Sequence, residues 1–117
     1  MLSLPPSVRI LICREPCDMR RSFDALARMA EVHVGADPFS GHLFVFRNRR
    51  GDRIKILFWD GDGYVIYYKR LERGVFVLPD GSSASISARE LTLILDGVDL
   101  SSVRRHRRYE RPPALVG

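Results

Sequence analysis

The stretch from Phe44 to Val77, FVFRNRRGDRIKILFWDGDGYVIYYKRLERGVFV, carries the strongest structural signal in the chain. Apolar and polar residues alternate along much of it, as in strands whose side chains point to opposite faces of a sheet. Turns rich in Gly and Asp separate the alternating segments. The pattern predicts a four-stranded antiparallel meander with strands at His42–Arg47, Arg53–Asp60, Tyr64–Leu71 and Val75–Leu78.

The flanking sequence predicts an N-terminal strand and two helices. Val8–Cys13 is apolar and β-branched, as expected of a strand. Asp18 is a suitable N-cap for a helix over Met19–Val32, and Ser87, followed three residues later by a glutamate, caps a second helix over Ala88–Leu95. We therefore expect an α+β fold: strand, helix, meander, helix, with both helices on one face of the sheet and a polar, aromatic face left open.

Length and composition indicate one ordinary globular domain. We assign residues 1–100 to that domain. Residues 101–117 contain five arginines and two prolines and few apolar side chains, and we expect them to form a flexible basic tail. No apolar run is long enough to span a bilayer, and nothing at the N-terminus suggests a signal peptide, so we expect a cytoplasmic protein.

The positive charge is concentrated in the meander and in the tail. The net charge is +5, and residues 47–73 alone carry eight basic and four acidic residues. Of the 19 basic residues only Lys55 and Lys69 are lysines. Arginine binds phosphate through two parallel hydrogen bonds, which favours an anionic partner, although a GC-rich genome would also produce an arginine excess.

Basic and aromatic side chains are interleaved in this segment, which is typical of sheet surfaces that bind nucleic acid. A protein-binding face and an ordinary solvated face are the alternatives. An exposed strand edge at either end of the meander would also permit self-association. The candidate nucleic-acid-binding residues are Arg47, Arg49, Arg50, Arg53, Lys55, Trp59, Tyr67, Lys69, Arg70 and Arg73.

Catalytic and metal-binding motifs are weak. Asp60 and Asp62 could be the start of a two-metal nuclease site, but Asp beside Gly is also what a tight hairpin turn selects. Cys13 and Cys17 are expected to be reduced, and the three histidines lack the spacing of a zinc site. We expect no catalytic residues, no metal and no cofactor.

Four segments resemble a known family. They are P-x-D-M-R-R-S-F-D-x-L from Pro16, the run D-P-x-S-G-H through W-D-G-D-G from Asp37 to Gly63, Y-K-R-L-E-R-G from Tyr68, and S-A-R-E-L-x-L-I-L-D-G-x-D-L from Ser87. They are similar to the TnpB accessory proteins, products of the second reading frame of insertion-sequence family sixty-six, which differ from the RNA-guided nucleases of the same name.

The resemblance spans roughly residues 2–100. It implies a component of a transposable element that is encoded beside a separate DDE-type transposase and needed for efficient transposition. The family has no established catalytic residues to carry over. The expected partners are DNA, because of the basic and aromatic residues, and the element's transposase and its other accessory protein, because of the resemblance.

Overall fold

A computed structural model describes residues 7–80, 84–99 and 104–105 of the chain. Within these residues, the first helix, α1 at Phe23–Met29, continues directly into a π-helical turn at Ala30–Val34. The elements in chain order are β1 (Ile10–Ile12), α1 (Phe23–Met29), β2 (Leu43–Arg47), β3 (Arg53–Trp59), β4 (Tyr64–Arg70), β5 (Ser85–Ile86), α2 (Ala88–Leu95), β6 (Val98–Asp99) and β7 (Arg104–Arg105).

The main sheet has five strands in the order β4-β3-β2-β1-β5. The β2–β3 and β3–β4 pairs are the antiparallel hairpins expected from the sequence. The chain crosses from β1 through α1 to β2, and these two strands pair in parallel, with Ile10 opposite Leu43. The α+β class is therefore confirmed, and the sheet is mixed rather than wholly antiparallel.

The predicted strand at 75–78 is wrong. After β4 the chain folds back toward the β2–β3 turn, where the Leu71 N–H donates to the Asp52 oxygen at 2.8 Å and the Phe76 N–H donates to the Gly51 oxygen at 2.8 Å. Leu71 and Phe76 are both buried in the core. The segment thus packs its apolar residues against the sheet instead of adding a strand to its edge, and the fifth strand is Ser85–Ile86, antiparallel to β1.

The two helices cover opposite faces of the sheet, so the expectation that they share one face is also wrong. On one face α1 packs with residues of β1, β2 and β3, and on the other face α2 packs with alternate residues of the same strands. Strand β2 shows why: residues 43–46 are all buried. A strand that is apolar on both sides needs a layer on each face.

The two helix starts differ from each other in their capping. α2 has the predicted capping box, in which Ser87 Oγ accepts from the Glu90 N–H and Glu90 Oε1 accepts from the Ser87 N–H, both at 3.0 Å. α1 begins at Phe23 rather than at residue 19, with Ser22 as an N-cap that makes no side-chain hydrogen bond. Asp18 instead accepts the Arg20 backbone N–H at 2.9 Å in a local turn, so the predicted Asp18 cap is wrong.

The predicted tail lies outside the described residues except for β7, which pairs antiparallel with β6. The domain boundary at residue 100 stays a prediction.

Candidate nucleic-acid interface

The turn between β2 and β3 presents two arginines at its apex. Asn48 Oδ1 accepts from the N–H groups of Gly51 and Arg53, both at 3.0 Å, and Asn48 Nδ2 donates to Asp52 Oδ1 at 2.8 Å. Gly51 has φ +84°, a conformation that glycine adopts without strain. The turn is therefore held by its own polar groups, and the side chains of residues 49 and 50 are exposed.

Three further arginines lie at the same end of the sheet. Arg53 begins β3 directly opposite Arg70, where β4 ends, and Arg53 Nη1 donates to the Tyr68 hydroxyl at 3.1 Å. Arg73 is exposed in the loop that folds back to this turn. We call this surface the basic end; it consists of Arg49, Arg50, Arg53, Arg70 and Arg73.

An open groove of about 380 Å³ runs beside the basic end. Its lining residues are Cys17, Asp18, Met19, Asn48, Arg49, Arg50, Asp52 and Arg53. The two carboxylates in the groove are already engaged. Hydrogen bonds from Arg20 lower the pKa of Asp18 to about 2, and the hydrogen bond from Asn48 lowers the pKa of Asp52.

One arginine of the basic end, Arg70, forms a salt bridge. Arg70 Nη2 lies 2.8 Å from Glu72 Oε1, and both side chains are more than half exposed. Exposed pairs of this kind are weak, so Arg70 can exchange its partner for a phosphate at little cost.

Two of the candidate residues are turned toward the interior of the fold, where their side chains bind backbone oxygens. Lys55 is 7% exposed, and its Nζ donates to the backbone oxygens of Met19 at 2.8 Å and Arg21 at 2.7 Å while lying 4.7 Å from the Tyr68 ring centroid. Arg47 is half-buried and donates to the Phe76 oxygen at 2.7 Å, and burial lowers its pKa, with a smaller effect from Arg14. We therefore exclude Lys55 from the surface and treat Arg47 as a support.

The remaining candidates lie apart from the basic end. Tyr67 and Lys69 point to the α2 face of β4, where Lys69 Nζ donates to the Leu95 oxygen at the end of α2, at 3.2 Å. Trp59 lies at the opposite end of β3. The predicted sheet surface is thus split, because neighbouring residues of a strand point to opposite faces and both faces are covered by helices.

Trp59 belongs to an aromatic cluster whose other exposed member, Phe39, was not predicted from the sequence. Phe39, 58% exposed, lies 5.1 Å from Trp59 and 5.5 Å from Tyr64, measured between ring centroids. Phe39 follows a Pro in a turn-rich segment, so no periodicity pointed to it. We call these three residues the aromatic end.

Acidic residues surround the aromatic end. Burial, and then the nearby Asp37, raise the pKa of Tyr64. Asp60 and Asp62 lie in the β3–β4 turn as predicted, where the Asp60 N–H donates to the Gly63 oxygen at 3.0 Å. The molecule therefore has a basic end and an acidic, aromatic end, at opposite ends of β3.

Within the described ranges no group of three or more His, Cys, Asp or Glu side chains is arranged to hold a metal ion. Cys13 and Cys17 are both free thiols in the core, and burial raises the pKa of each. Of the helices in the described part of the chain, none combines the length and apolar character needed to cross a bilayer.

The described residues thus form a small α+β fold with a basic end and an aromatic end at opposite ends of β3. Two curated proteins of Sinorhizobium fredii (strain NBRC 101917 / NGR234) are similar over nearly their whole length. "Uncharacterized protein y4jC" is 34% identical over 107 residues, 90% of this chain and 92% of that protein, and "Uncharacterized protein y4hO" is 37% identical over 119 residues, 100% of both. No solved structure matches significantly.

The family model described as "IS66 Orf2 like protein" matches residues 8–105. The chain belongs to this family, whose members are accessory proteins in the transposition of a bacterial insertion sequence. The match extends past residue 100, and so includes the first residues of the predicted tail.

Proposed function

We propose that this protein is a non-catalytic accessory factor that binds DNA, or the transposase–DNA complex, through the basic end, in the bacterial cytoplasm. The observation that supports this is the convergence of five arginines on one end of the sheet, four of them exposed. Among the neighbouring residues of the hairpin and loop, the acidic side chains are Asp52 and Glu72. Asp52 is hydrogen-bonded to Asn48, and Glu72 is paired with Arg70.

The geometry favours phosphate contacts over base contacts. The arginines lie on a turn, at two strand ends and in a loop, and so are not lined up on one helix or strand that could enter a groove of the duplex. Arginine fits phosphate oxygens through its planar guanidinium. Tyr68, 47% exposed beside Arg53, is the aromatic side chain placed to stack on a base. We therefore expect binding with strong salt dependence and little sequence preference.

Fluorescence anisotropy with a labelled duplex tests the proposal. If the basic end neutralises about four phosphates, affinity falls roughly 100-fold between 50 and 200 mM salt. Replacing Arg49, Arg50 and Arg53 together by alanine is expected to remove most binding and to flatten the salt dependence, since each lost phosphate contact reduces the slope by about 1.

A triple variant with the same change of charge serves as the control. Arg9, Arg28 and Arg89 are exposed and lie outside the basic end. Their replacement by alanine is expected to leave most of the affinity in place. Equal loss in both variants would mean that net charge alone drives binding, and the basic end would then have no special role.

Absence of catalysis is tested separately. The purified protein with Mg²⁺ is expected to leave supercoiled plasmid uncut. Nicking that disappears when Asp60 and Asp62 are replaced by asparagine would contradict a non-catalytic role.

The aromatic end supports a second candidate function, a protein-interaction module that recruits or stabilises the transposase without contacting DNA. Exposed aromatic side chains are enriched at protein interfaces. With purified transposase and nuclease-treated samples, Phe39→Ser is expected to weaken capture if this surface is used. Val32→Ser, which changes another exposed apolar residue, is the matched control.

A further inference from the structure

Strand β4 forms an edge of the main sheet. In the described part of the chain it pairs with β3 alone, and it is seven residues long. An edge strand presents unpaired N–H and C=O groups that can bond to another strand.

The hydrogen-bond pattern shows which groups face outward. The Asp60 N–H bonds to the Gly63 oxygen, and the Leu71 N–H bonds to the Asp52 oxygen. Between these two bonds, the residue pairs of β3 and β4 alternate between hydrogen-bonded and non-hydrogen-bonded pairs, as in any antiparallel ladder. Residues 65, 67 and 69 of β4 therefore direct their backbone groups to β3. The backbone groups of Tyr64, Ile66, Tyr68 and Arg70 therefore face the open edge.

The middle of this edge lacks the usual protection against pairing. Natural edge strands carry prolines, bulges or central charges that block a second strand. Residues 65–68 are Val-Ile-Tyr-Tyr, without charge or proline. Tyr67 and Tyr68 are 45% and 47% exposed and project to opposite faces, so a neighbouring strand would be flanked by an aromatic ring on each side.

Charge is distributed along the edge with opposite signs at its two ends. Lys69 and Arg70 close the strand, and Asp60 and Asp62 lie in the turn that leads into it. An antiparallel arrangement of two such strands places the positive end of each beside the negative end of the other. Parallel pairing would place like charges together.

We propose that the β4 edge binds the β4 edge of a second copy of this chain, giving a two-fold symmetric dimer with one continuous sheet. With the axis at Ile66, outward-facing residues oppose each other: Tyr68 lies opposite Tyr64, and Arg70 lies opposite Asp62 of the second copy. This register forms about six backbone hydrogen bonds. Dimerisation does not require DNA: Arg49, Arg50, Arg53 and Arg73 of the basic end lie outside the paired edge, and only Arg70 is shared between the two surfaces.

Sedimentation equilibrium from about 10 to about 500 µM tests the dimer by mass action. The mass is expected to rise from the 13.4 kDa of one chain toward twice that value. Tyr68→Pro removes one outward N–H from each copy without touching the β3–β4 ladder, and it is expected to be monomeric. Tyr68→Ala loses the same ring but keeps the N–H, and is expected to dimerise more strongly than the proline variant.

Charge reversal tests the register. Asp62→Arg and Arg70→Asp are each expected to weaken dimerisation roughly tenfold, because each places two like-charged pairs across the axis, and the double variant is expected to recover most of the loss. Asp80→Arg, an exposed change outside the edge, is the control. A wild-type protein that stays monomeric throughout, equal behaviour of Tyr68→Pro and Tyr68→Ala, or a double variant no better than the single ones would overturn the proposal.

Discussion

Replacing Lys55 by methionine tests whether a buried ammonium group anchors the segment before α1. Methionine keeps the apolar stem of lysine but removes the group that donates to the Met19 and Arg21 oxygens at 2.8 and 2.7 Å. Both oxygens belong to the segment that leads from β1 into α1. Without the ammonium group these carbonyls lose their partners on β3.

The expected loss is about 3 kcal/mol. Hydrogen bonds from a charged donor contribute about 1.5 kcal/mol each at the lower end of their range, and the contact with the Tyr68 ring adds about 1 kcal/mol. Methionine avoids the cost of burying a charge, which offsets this loss by on the order of 1 kcal/mol. Since a domain of this size has a free energy of unfolding of about 5–15 kcal/mol, the loss is large.

Urea denaturation followed by circular dichroism measures the effect. With a slope of roughly 1.5 kcal/mol per molar urea, the midpoint is expected to fall by about 2 M. Lys69→Met is the matched control, because Lys69 makes one longer bond, to the Leu95 oxygen at 3.2 Å, and its loss is expected to be below about 1 kcal/mol. A Lys55→Met variant within about 0.5 kcal/mol of wild type would show that the ammonium group does not anchor this segment.

Three further predictions concern local structure. Ser87→Ala is expected to cost about 1 kcal/mol in urea denaturation because it removes the capping box of α2, whereas Ser22→Ala, at a cap with no side-chain bond, is expected to be nearly neutral. Gly51→Ala is expected to lower the free energy of unfolding by about 1–2 kcal/mol, because φ is +84° and the new Cβ would lie 3.3 Å from the Val75 side chain. A thermal melt that matches wild type would refute this. The pKa of Asp18, measured by carbon NMR, is expected near 2 because Arg20 bonds to the charged carboxylate. This pairing stabilises the fold at pH values above the ordinary carboxyl pKa of about 3.9, and the contribution is lost as the pH falls toward 2. Arg20→Ala should return the pKa of Asp18 toward its ordinary value.

The hairpins could be predicted from the sequence because their signals are local. Alternation in residues 53–59 and the Gly/Asp turns specify β3, β4 and their register without help from the rest of the chain. The cap at Ser87 is local in the same sense. The parallel pairing of β1 with β2 and the position of β5 depend on contacts between distant segments, which no short pattern contains.

The candidate site was predicted in part for the same reason. Arg49 and Arg50 lie in a turn, and turn residues are exposed in almost any fold. Lys55 sits in a strand whose polar side was expected to face water, yet α1 covers that side, and the ammonium group binds the carbonyls of the covering segment. The apolar run of residues 43–46 was the one signal that both faces would be covered.

The position of β1 in the sheet has a consequence for the order of folding. The β2–β3–β4 hairpins join neighbouring segments, so they can form as soon as that part of the chain leaves the ribosome. Strand β1, although synthesised first, lies between β2 and β5, and its second edge stays open until Ser85–Ile86 are made. A chain that stops before residue 85 therefore exposes an apolar central strand, and such a fragment is expected to aggregate rather than fold.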